Sequence, residues 1–229
     1  MIPALLYLLF KKLRKNSHSS SPMKSIFQVL TGSHGLMFGL LILLLLISVV
    51  LSAQKLSRSY KVMRSGNEIG WLTLEKQTDS NATTITMATQ VHFRFILAYE
   101  SFARETSQFV NGTLQHSYYY RKTNGSIKAD RHTYLVGNDY EVAENPARRK
   151  LNISPVTYNS LCMYFQEPVG LKQVYSDNHQ KFLEIEKKSD GGYCVSQPDG
   201  ITNTFYYSGG ACYKVKINHS FYSATLLLK

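Results

Sequence analysis

The chain has 229 residues, of which 44% are hydrophobic and 12% aromatic, and its formal net charge is +11 at pH 7. Residues 1–53 hold five of the 26 Lys and Arg and none of the 15 Asp and Glu, so the remaining 176 residues carry a net charge of only +6. A chain of that length needs a single hydrophobic core. Its mildly basic surface predicts no nucleic-acid partner.

The longest apolar run, residues 36–51 (LMFGLLILLLLISVVL), predicts export of everything that follows it. All charges before the run are basic, which places the N-terminus in the cytoplasm. The run has 16 residues, between the roughly 7 to 15 of a signal-peptide core and the about 20 of a membrane-spanning helix. We expect cleavage between Ala53 and Gln54. The alternative is a retained single span over residues 36–53, which would anchor the protein to the inner membrane.

This segment sets the predicted domain organisation. Residues 1–53 are expected to be an N-terminal extension with a signal peptide or a single membrane anchor, and residues 54–229 an exported β domain, periplasmic or secreted. Met23-Lys24-Ser25 also looks like the start of an ordinary signal peptide. The sequence therefore leaves open whether translation begins at Met1 or at Met23.

From residue 56 to residue 142, turn signals separate apolar or aromatic stretches at short intervals, which is typical of an antiparallel β-meander. Asn111-Gly112 and Asn124-Gly125 are expected to form type I′ hairpin turns, because Asn and Gly accept positive φ. Apolar side chains occur on both strand faces, so the sheet is expected to curl over a core or cavity. The predicted strands lie near residues 57–64, 67–77, 82–93, 94–101, 103–110, 113–122, 126–136 and 139–143.

The second half of the chain contains one helix signal and six further strand signals. Ser154-Pro155 offers an N-cap followed by proline at the first helical position, which predicts a short helix over 155–165. Arg148-Arg149-Lys150, just before it, is expected to be a solvated loop. The fold class is therefore predicted as mainly β, a curved antiparallel meander or open barrel with one short helix. The later strands are predicted near residues 171–176, 180–187, 192–197, 202–208, 211–218 and 221–228.

A transmembrane outer-membrane barrel is the rival architecture, because Tyr-rich strands of about ten residues can span a membrane. Residues 181–187 argue against it, since Glu184 and Glu186 lie on one strand face and Lys181 and Lys187 on the other.

The three cysteines lie in the last third of the chain. Cys194 and Cys212 are predicted on strands with another strand between them, which separates them by about 9 to 10 Å. A disulfide cannot bridge that distance. A bond from Cys162 to either of the others stays open, beside the alternative of three free thiols.

No motif that carries chemistry is present, so no metal, cofactor or catalytic residue is predicted. No P-loop, dinucleotide-binding or G-x-S-x-G pattern occurs in the exported part. Asp130 and His132 share a strand face, as do Glu184 and Glu186, and both pairs are interpreted as surface charges. The histidines there have no metal-ligand spacing; they are His92, His116, His132, His179 and His219.

Several segments resemble an uncharacterised family of exported bacterial β-rich proteins. The resemblance begins at Tyr60-x-Val62 and Ile69-Gly70 and continues through the hairpin of Asn111-Gly112-Thr113-Leu114 and Tyr118-Tyr119-Tyr120. It extends over SPVTYNSLCMYFQEPVG at residues 154–170 and the Tyr206-Tyr207-Ser208-Gly209-Gly210 turn. This resemblance implies a curved antiparallel sheet, akin to the half-barrels of periplasmic lipoprotein carriers, with no established biochemical activity.

The aromatic-rich sheet favours a non-enzymatic envelope protein that binds a lipid or another apolar or amphipathic ligand. A structural or assembly role is the second hypothesis, and a hydrolase whose polar groups converge only in the folded chain is the third. An uncleaved N-terminal segment would add the membrane as a partner. Ordinary core packing is the alternative role for each candidate ligand-binding residue, which are Trp71, Leu72, Phe93, Phe95, Tyr118 and Tyr120.

Overall fold

In the part of the chain that the structure describes, fourteen β-strands account for nearly all the regular structure, as the spacing of turn signals predicts. The computed structural model describes residues 54–94, 98–219 and 222–229. The first-half strands are β1 (Gln54–Arg64), β2 (Asn67–Asp79), β3 (Ala82–Arg94), β4 (Ala98–Val110), β5 (Thr113–Thr123), β6 (Ser126–Val136), β7 (Asp139–Glu144) and β8 (Ala147–Leu151). The second-half strands are β9 (Gln173–Ser176), β10 (Lys181–Lys187), β11 (Tyr193–Ser196), β12 (Thr202–Ser208), β13 (Ala211–His219) and β14 (Tyr222–Leu228).

All fourteen strands belong to one sheet, and neighbouring strands run antiparallel. The order is β8-β7-β6-β5-β4-β3-β2-β1-β14-β13-β12-β11-β10-β9. From β1 in the middle of the sheet, the strands therefore meander to one edge at β8, cross to the other edge at β9 and meander back until β14 pairs with β1. Two edges remain, so the sheet is not closed. The predicted fold class, a mainly β antiparallel meander, is confirmed.

The predicted hairpin turns form as their residue types dictate. Asn111 and Gly112 have φ values of 50° and 75°, and Asn124 and Gly125 have 47° and 80°. Positive φ at both central positions is the signature of a type I′ turn, whose twist matches that of the flanking strands.

Two strands differ from the sequence prediction. β4 is one continuous strand, where two were predicted; residues 95–97, between β3 and β4, lie outside the described residues. Arg148-Arg149-Lys150 forms the exposed part of edge strand β8 instead of a loop. Charged side chains on an edge strand discourage pairing with another molecule. The charge run therefore fits an edge strand as well as it fits a loop.

Contacts between distant strands show that the sheet curls. β5 and β9 are ten places apart in the strand order, which in a flat sheet would separate them by roughly 48 Å. Ser117 of β5 nevertheless donates a hydrogen bond to Asp177, which directly follows β9. Arg131 of β6 likewise donates to the Asn178 carbonyl, with Nη1 and O 3.3 Å apart. The two halves of the sheet therefore face each other across a shared interior.

The segment between the two edge strands, residues 152–172, fills much of this interior, and we call it the plug. Val156, Leu161 and Met163 of the plug are each at most 1% exposed. The plug contacts strands from both halves of the sheet. Its Val156 carbonyl accepts from the Leu114 amide of β5, and its Tyr164 ring packs edge-on against Tyr60 of β1 with 5.6 Å between centroids.

The helix predicted over 155–165 is reduced to one 3-10 turn, Cys162–Tyr164. The backbone before that turn is bonded to strands. The Tyr158 carbonyl accepts from the Tyr175 amide, and the Ser160 amide donates to the Tyr175 carbonyl. These groups are thereby committed to an extended pairing with β9, which leaves them unavailable for helical hydrogen bonds.

Tyrosine hydroxyls form hydrogen bonds with backbone groups of the plug. Tyr207 donates to the Met163 carbonyl at 2.7 Å, and Tyr158 donates to the Gln166 carbonyl at 2.6 Å. Tyr140 accepts from the Val156 amide at 3.1 Å and donates to the Leu114 carbonyl at 2.9 Å. A buried irregular segment needs such partners, because it has no ladder of its own.

All three cysteines are free thiols. Cys194 lies on β11 and Cys212 on β13, with β12 between them, as the sequence predicts. The alternative bond from Cys162 to either of them does not form.

Within the described residues, no helix is long and apolar enough to cross a membrane. The predicted signal or anchor at residues 36–53 lies outside the described part of the chain.

We predict that Tyr140→Phe lowers the free energy of unfolding by about 1 to 3 kcal/mol, because it leaves the buried Val156 amide without its acceptor. Urea titration of the variant and the parent protein measures this difference. Tyr134→Phe is the matched control, since Tyr134 is 40% exposed. Equal stability losses for the two variants would contradict the proposed role of the Tyr140 hydroxyl.

Candidate functional site

The most unusual feature of the interior is a pair of buried carboxyl groups. Glu105 lies on the inner face of β4, and Asp177 directly follows the edge strand β9. They are 6% and 2% exposed. Buried carboxyl groups are rare unless they are paired or hydrogen-bonded.

Both carboxyl oxygens of Asp177 accept hydrogen bonds. Ser117 of β5 donates to Oδ1, and the plug residue Asn159 donates to Oδ2 with a distance of 3.0 Å. The same Asn159 amide lies 2.7 Å from the Ser107 hydroxyl of β4. This network ties the plug and the end of β9 to the middle of the sheet.

The protein donates fewer hydrogen bonds to the Glu105 carboxyl group than to that of Asp177. Its carboxyl group is within hydrogen-bonding reach of Asp177, and its Oε1 accepts no hydrogen bond from any donor among the described residues. Burial, followed by the negative charge of Asp177, raises the pKa of Glu105 well above its usual range. Two adjacent buried carboxyls do not both ionise easily, so the pair tends to share one proton.

Burial also raises the pKa of Asp177. Hydrogen bonds from Ser117 and Asn159 and the positive charge of Arg131 oppose this effect, because they stabilise the carboxylate form. The environment therefore favours Asp177 as the ionised partner and Glu105 as the protonated one.

A cavity of about 170 Å³ lies beside this pair, between the plug and the inner face of the sheet. Glu105 and Asp177 form part of its polar wall together with Asn203 of β12. The Asn203 side-chain oxygen is buried and, like Glu105 Oε1, has no donor among the described residues. The apolar wall includes Met87, Ala103, Leu161, Met163, Leu183 and Phe205.

A second cavity of about 140 Å³ lies beside the plug and is lined by residues that include Ile85, Phe109 and Cys162. Burial raises the pKa of the Cys162 thiol to about 11. That thiol lies 3.3 Å from the Asn159 side-chain oxygen. A protonated, hydrogen-bonded thiol is a poor nucleophile, so this cysteine has the properties of a structural residue.

The six residues proposed from the sequence do not come together in the structure. Leu72 is buried in the core, and Phe93 packs against Tyr99 with ring centroids 5.0 Å apart. Trp71 alternates with Leu72 along β2, and Tyr118 and Tyr120 alternate with buried Tyr119 along β5, so these three lie on the outer face. Phe95 lies outside the described residues. None of the five described residues lines the 170 Å³ cavity.

The outer face carries an aromatic stack that includes two histidines. His116 and His132 have ring nitrogens 3.0 Å apart and stack between Tyr118 and Tyr134. One imidazole N–H can donate to the other ring nitrogen, which satisfies both without a metal ion. Among the described residues, no group of three or more metal-ligating side chains occurs.

Sequence reasoning missed Glu105, Asp177, Asn159 and Asn203. Asp177 and Asn178 lie in a turn, where polar residues are ordinarily solvated. For Glu105 a signal did exist, because it alternates with Ala103, Ser107 and Phe109 on the face that becomes buried. A carboxyl group at an inward strand position is the pattern that could have identified it.

The carboxyl pair makes stability depend on pH. Because the folded-state pKa of each group is raised, folded protein binds more protons than unfolded protein between the unfolded and folded pKa values. The contribution of this pair to the free energy of unfolding is therefore complete below about pH 4, and it is lost as the pH rises through the folded-state pKa values. We predict that the parent protein loses up to about 1.4 kcal/mol per pH unit relative to Glu105→Gln in this window.

Urea titrations from about pH 4 to about pH 8 test this prediction. Glu184→Gln serves as the control, because Glu184 is exposed on β10. A stability difference between the parent protein and Glu105→Gln that is constant with pH would refute the raised pKa.

Comparison with known proteins assigns the chain to a family. A search of curated proteins finds no match. Among solved structures, the chain is similar to a beta-barrel-like protein of domain of unknown function DUF1849 from Brucella abortus, with 11% identity and a TM-score of 0.47. That similarity covers 76% of this chain and 95% of the other. The family described as Domain of unknown function (DUF6134) matches residues 60–229, most of the chain. The chain therefore belongs to the DUF6134 family, which confirms its predicted membership of a family of unknown function.

Proposed function

We propose that this protein is a non-enzymatic binding domain that takes a small amphipathic ligand into the cavity beneath the plug. One observation carries the proposal: two buried acceptors without a protein donor, Glu105 and Asn203 Oδ1, line the same cavity. Leaving a buried polar group unpaired costs about 1 to 3 kcal/mol. A ligand with hydrogen-bond donors at one end would remove that cost.

The size of the cavity limits the ligand. A volume of about 170 Å³ is close to that of an engineered cavity of about 150 Å³ that binds benzene. It is below the roughly 300 to 1,000 Å³ of sites for drug-sized ligands. The proposed ligand is therefore a small molecule with one polar end and one apolar end. A whole lipid would require displacement of the plug.

A structural or assembly role is the second candidate, and the plug itself favours it. Plug residues such as Val156, Leu161 and Met163 belong to the same hydrophobic core as the strands. In this role, Glu105 and Asn203 would be satisfied by ordered water, and the buried network would only fix the plug.

Hydrolysis, the third possibility from the sequence, has less support from the site. The Ser117 hydroxyl donates a hydrogen bond to Asp177, but no histidine lines the cavity. An activated serine ordinarily needs an adjacent base that can take its proton and later return it. Binding therefore remains the function that the geometry supports best.

The proposed location is periplasmic or secreted, with the membrane as a further partner if residues 36–53 are retained. This part of the proposal depends on the apolar run and on the absence of acidic residues in 1–53.

We predict that Ala103→Leu abolishes binding of small amphipathic molecules, because the added side chain occupies the cavity that Ala103 lines. A ligand-observed NMR screen of fragments against the parent protein and the variant provides the measurement. Ala88→Leu on neighbouring β3 is the matched control, because Ala88 pairs with Arg104 on the outer face and does not line the cavity.

Two results would contradict the proposed function. Fragments that bind Ala103→Leu as tightly as the parent protein would place their site elsewhere. If no fragment binds, and native mass spectrometry of protein from its own organism shows no retained small molecule, the structural role takes first place.

A further inference from the structure

We propose that the polar end of the ligand is an ammonium group and that the Glu105–Asp177 pair is its counter-ion. This inference rests on the binding function proposed above and names the chemical class of the ligand.

The charge balance of the cavity supports a cationic ligand. Two carboxyl groups line the cavity, and no Lys or Arg does. The nearby cation Arg131 favours ionised Asp177 but does not line the cavity. Its Nη1 donates to the Asn178 carbonyl, its Nη2 lies 3.7 Å from Glu144 Oε1, and its guanidinium lies 5.6 Å from the Tyr119 ring centroid. The acidic wall therefore lacks a cation of its own within the cavity.

The stoichiometry of charge also fits. A carboxyl pair that shares one proton carries one negative charge, and one ammonium group neutralises it. The proton stays on the pair, so no other group has to change its protonation state. A carboxylate ligand would instead bring a second negative charge into a buried site, which is strongly unfavourable.

The hydrogen-bonding capacity matches an ammonium group better than a hydroxyl group. An ammonium has three donors and no acceptor, whereas a hydroxyl has one donor. Asp177 already accepts from Ser117 and Asn159, whereas Glu105 Oε1 and Asn203 Oδ1 are buried acceptors of the cavity wall without a donor among the described residues. Two separate acceptors need at least two donors from a single ligand.

The rest of the wall suits the remainder of such a ligand. Tyr119, Tyr164 and Phe205 supply aromatic rings, whose faces attract cations. Met87, Met163 and Leu183 supply apolar contacts for a short hydrocarbon or ring. The cavity thus resembles a site for a small primary amine with an apolar body.

Three ligands of nearly equal size separate the alternatives: benzylammonium, benzyl alcohol and benzoate. Their affinities for the full-length protein in mild detergent are measured by ligand-observed NMR titration near pH 7. We expect benzylammonium to bind at least about tenfold more tightly than benzyl alcohol, since hydrogen bonds to charged groups contribute about 1.5 to 3 kcal/mol. We expect no binding of benzoate.

Variants link this preference to the pair. Glu105→Gln should reduce the preference for benzylammonium over benzyl alcohol to near unity, whereas Glu184→Gln on exposed β10 should leave it unchanged. Asn203→Ala provides a second variant in the polar wall, and it should weaken the binding of benzylammonium more than that of benzyl alcohol.

The outcomes separate this inference from the proposed function. If benzyl alcohol binds as tightly as benzylammonium, the cationic preference is wrong and the binding function stands. If Glu105→Gln and Asn203→Ala both keep the full preference, the ammonium site is not at this pair. If none of the three ligands binds, the ammonium inference fails, and the fragment screen described above decides whether the binding function stands.

Discussion

A buried segment without regular secondary structure must find a partner for every backbone polar group, and this constraint shapes the interior of the protein. The plug runs along the inside of a curled sheet, and around its buried residues, such as Val156, Leu161 and Met163, water is not available to satisfy amides and carbonyls. Tyr140, Tyr158 and Tyr207 supply hydroxyls to it, and Asn159 joins it to Asp177. Tyrosine suits this task, because the phenol ring packs in the core while its hydroxyl reaches the backbone.

The carboxyl pair is a consequence of the same arrangement. Asp177 lies where the far edge of the sheet meets the plug and β5, and its two oxygens accept from groups on each of them. Removing such a group from water is costly unless hydrogen bonds compensate. Glu105 lies beside it with little compensation, and it is this imbalance, rather than the pairing itself, that suggests a ligand. A purely structural network would be expected to satisfy both members.

The sequence was sufficient to predict most of the strands, because turn chemistry is local. Dipeptides such as Asn111-Gly112 and Asn124-Gly125 determine where a hairpin reverses, whatever the rest of the chain does. The prediction was wrong where the same local sequence is compatible with two different structures. Ser154-Pro155 can start a helix, but pairing with Tyr175, far along the chain, holds the following residues extended. Arg148-Arg149-Lys150 suits an exposed loop and an exposed edge strand equally well.

The candidate site could not be predicted in the same way, since it depends on the curl of the sheet. Glu105 and Asp177 are 72 positions apart in the chain, and nothing local indicates that β4 and the end of β9 approach each other. The candidate residues proposed from the sequence lie on different faces for a simpler reason. Trp71 and Leu72 are neighbours on one strand and so cannot share a face. Choosing residues by type without applying the two-residue period mixed the inner and outer faces of the sheet.

The most direct test of the central claim is a high-resolution crystal structure of the protein grown with a benzylammonium salt. This account predicts that the ligand nitrogen lies within hydrogen-bonding distance of a Glu105 carboxyl oxygen and of Asn203 Oδ1, with the ring against the apolar wall of the cavity. A cavity that contains only ordered water bridging these two side chains, with benzylammonium absent or bound to the outer surface, would contradict it.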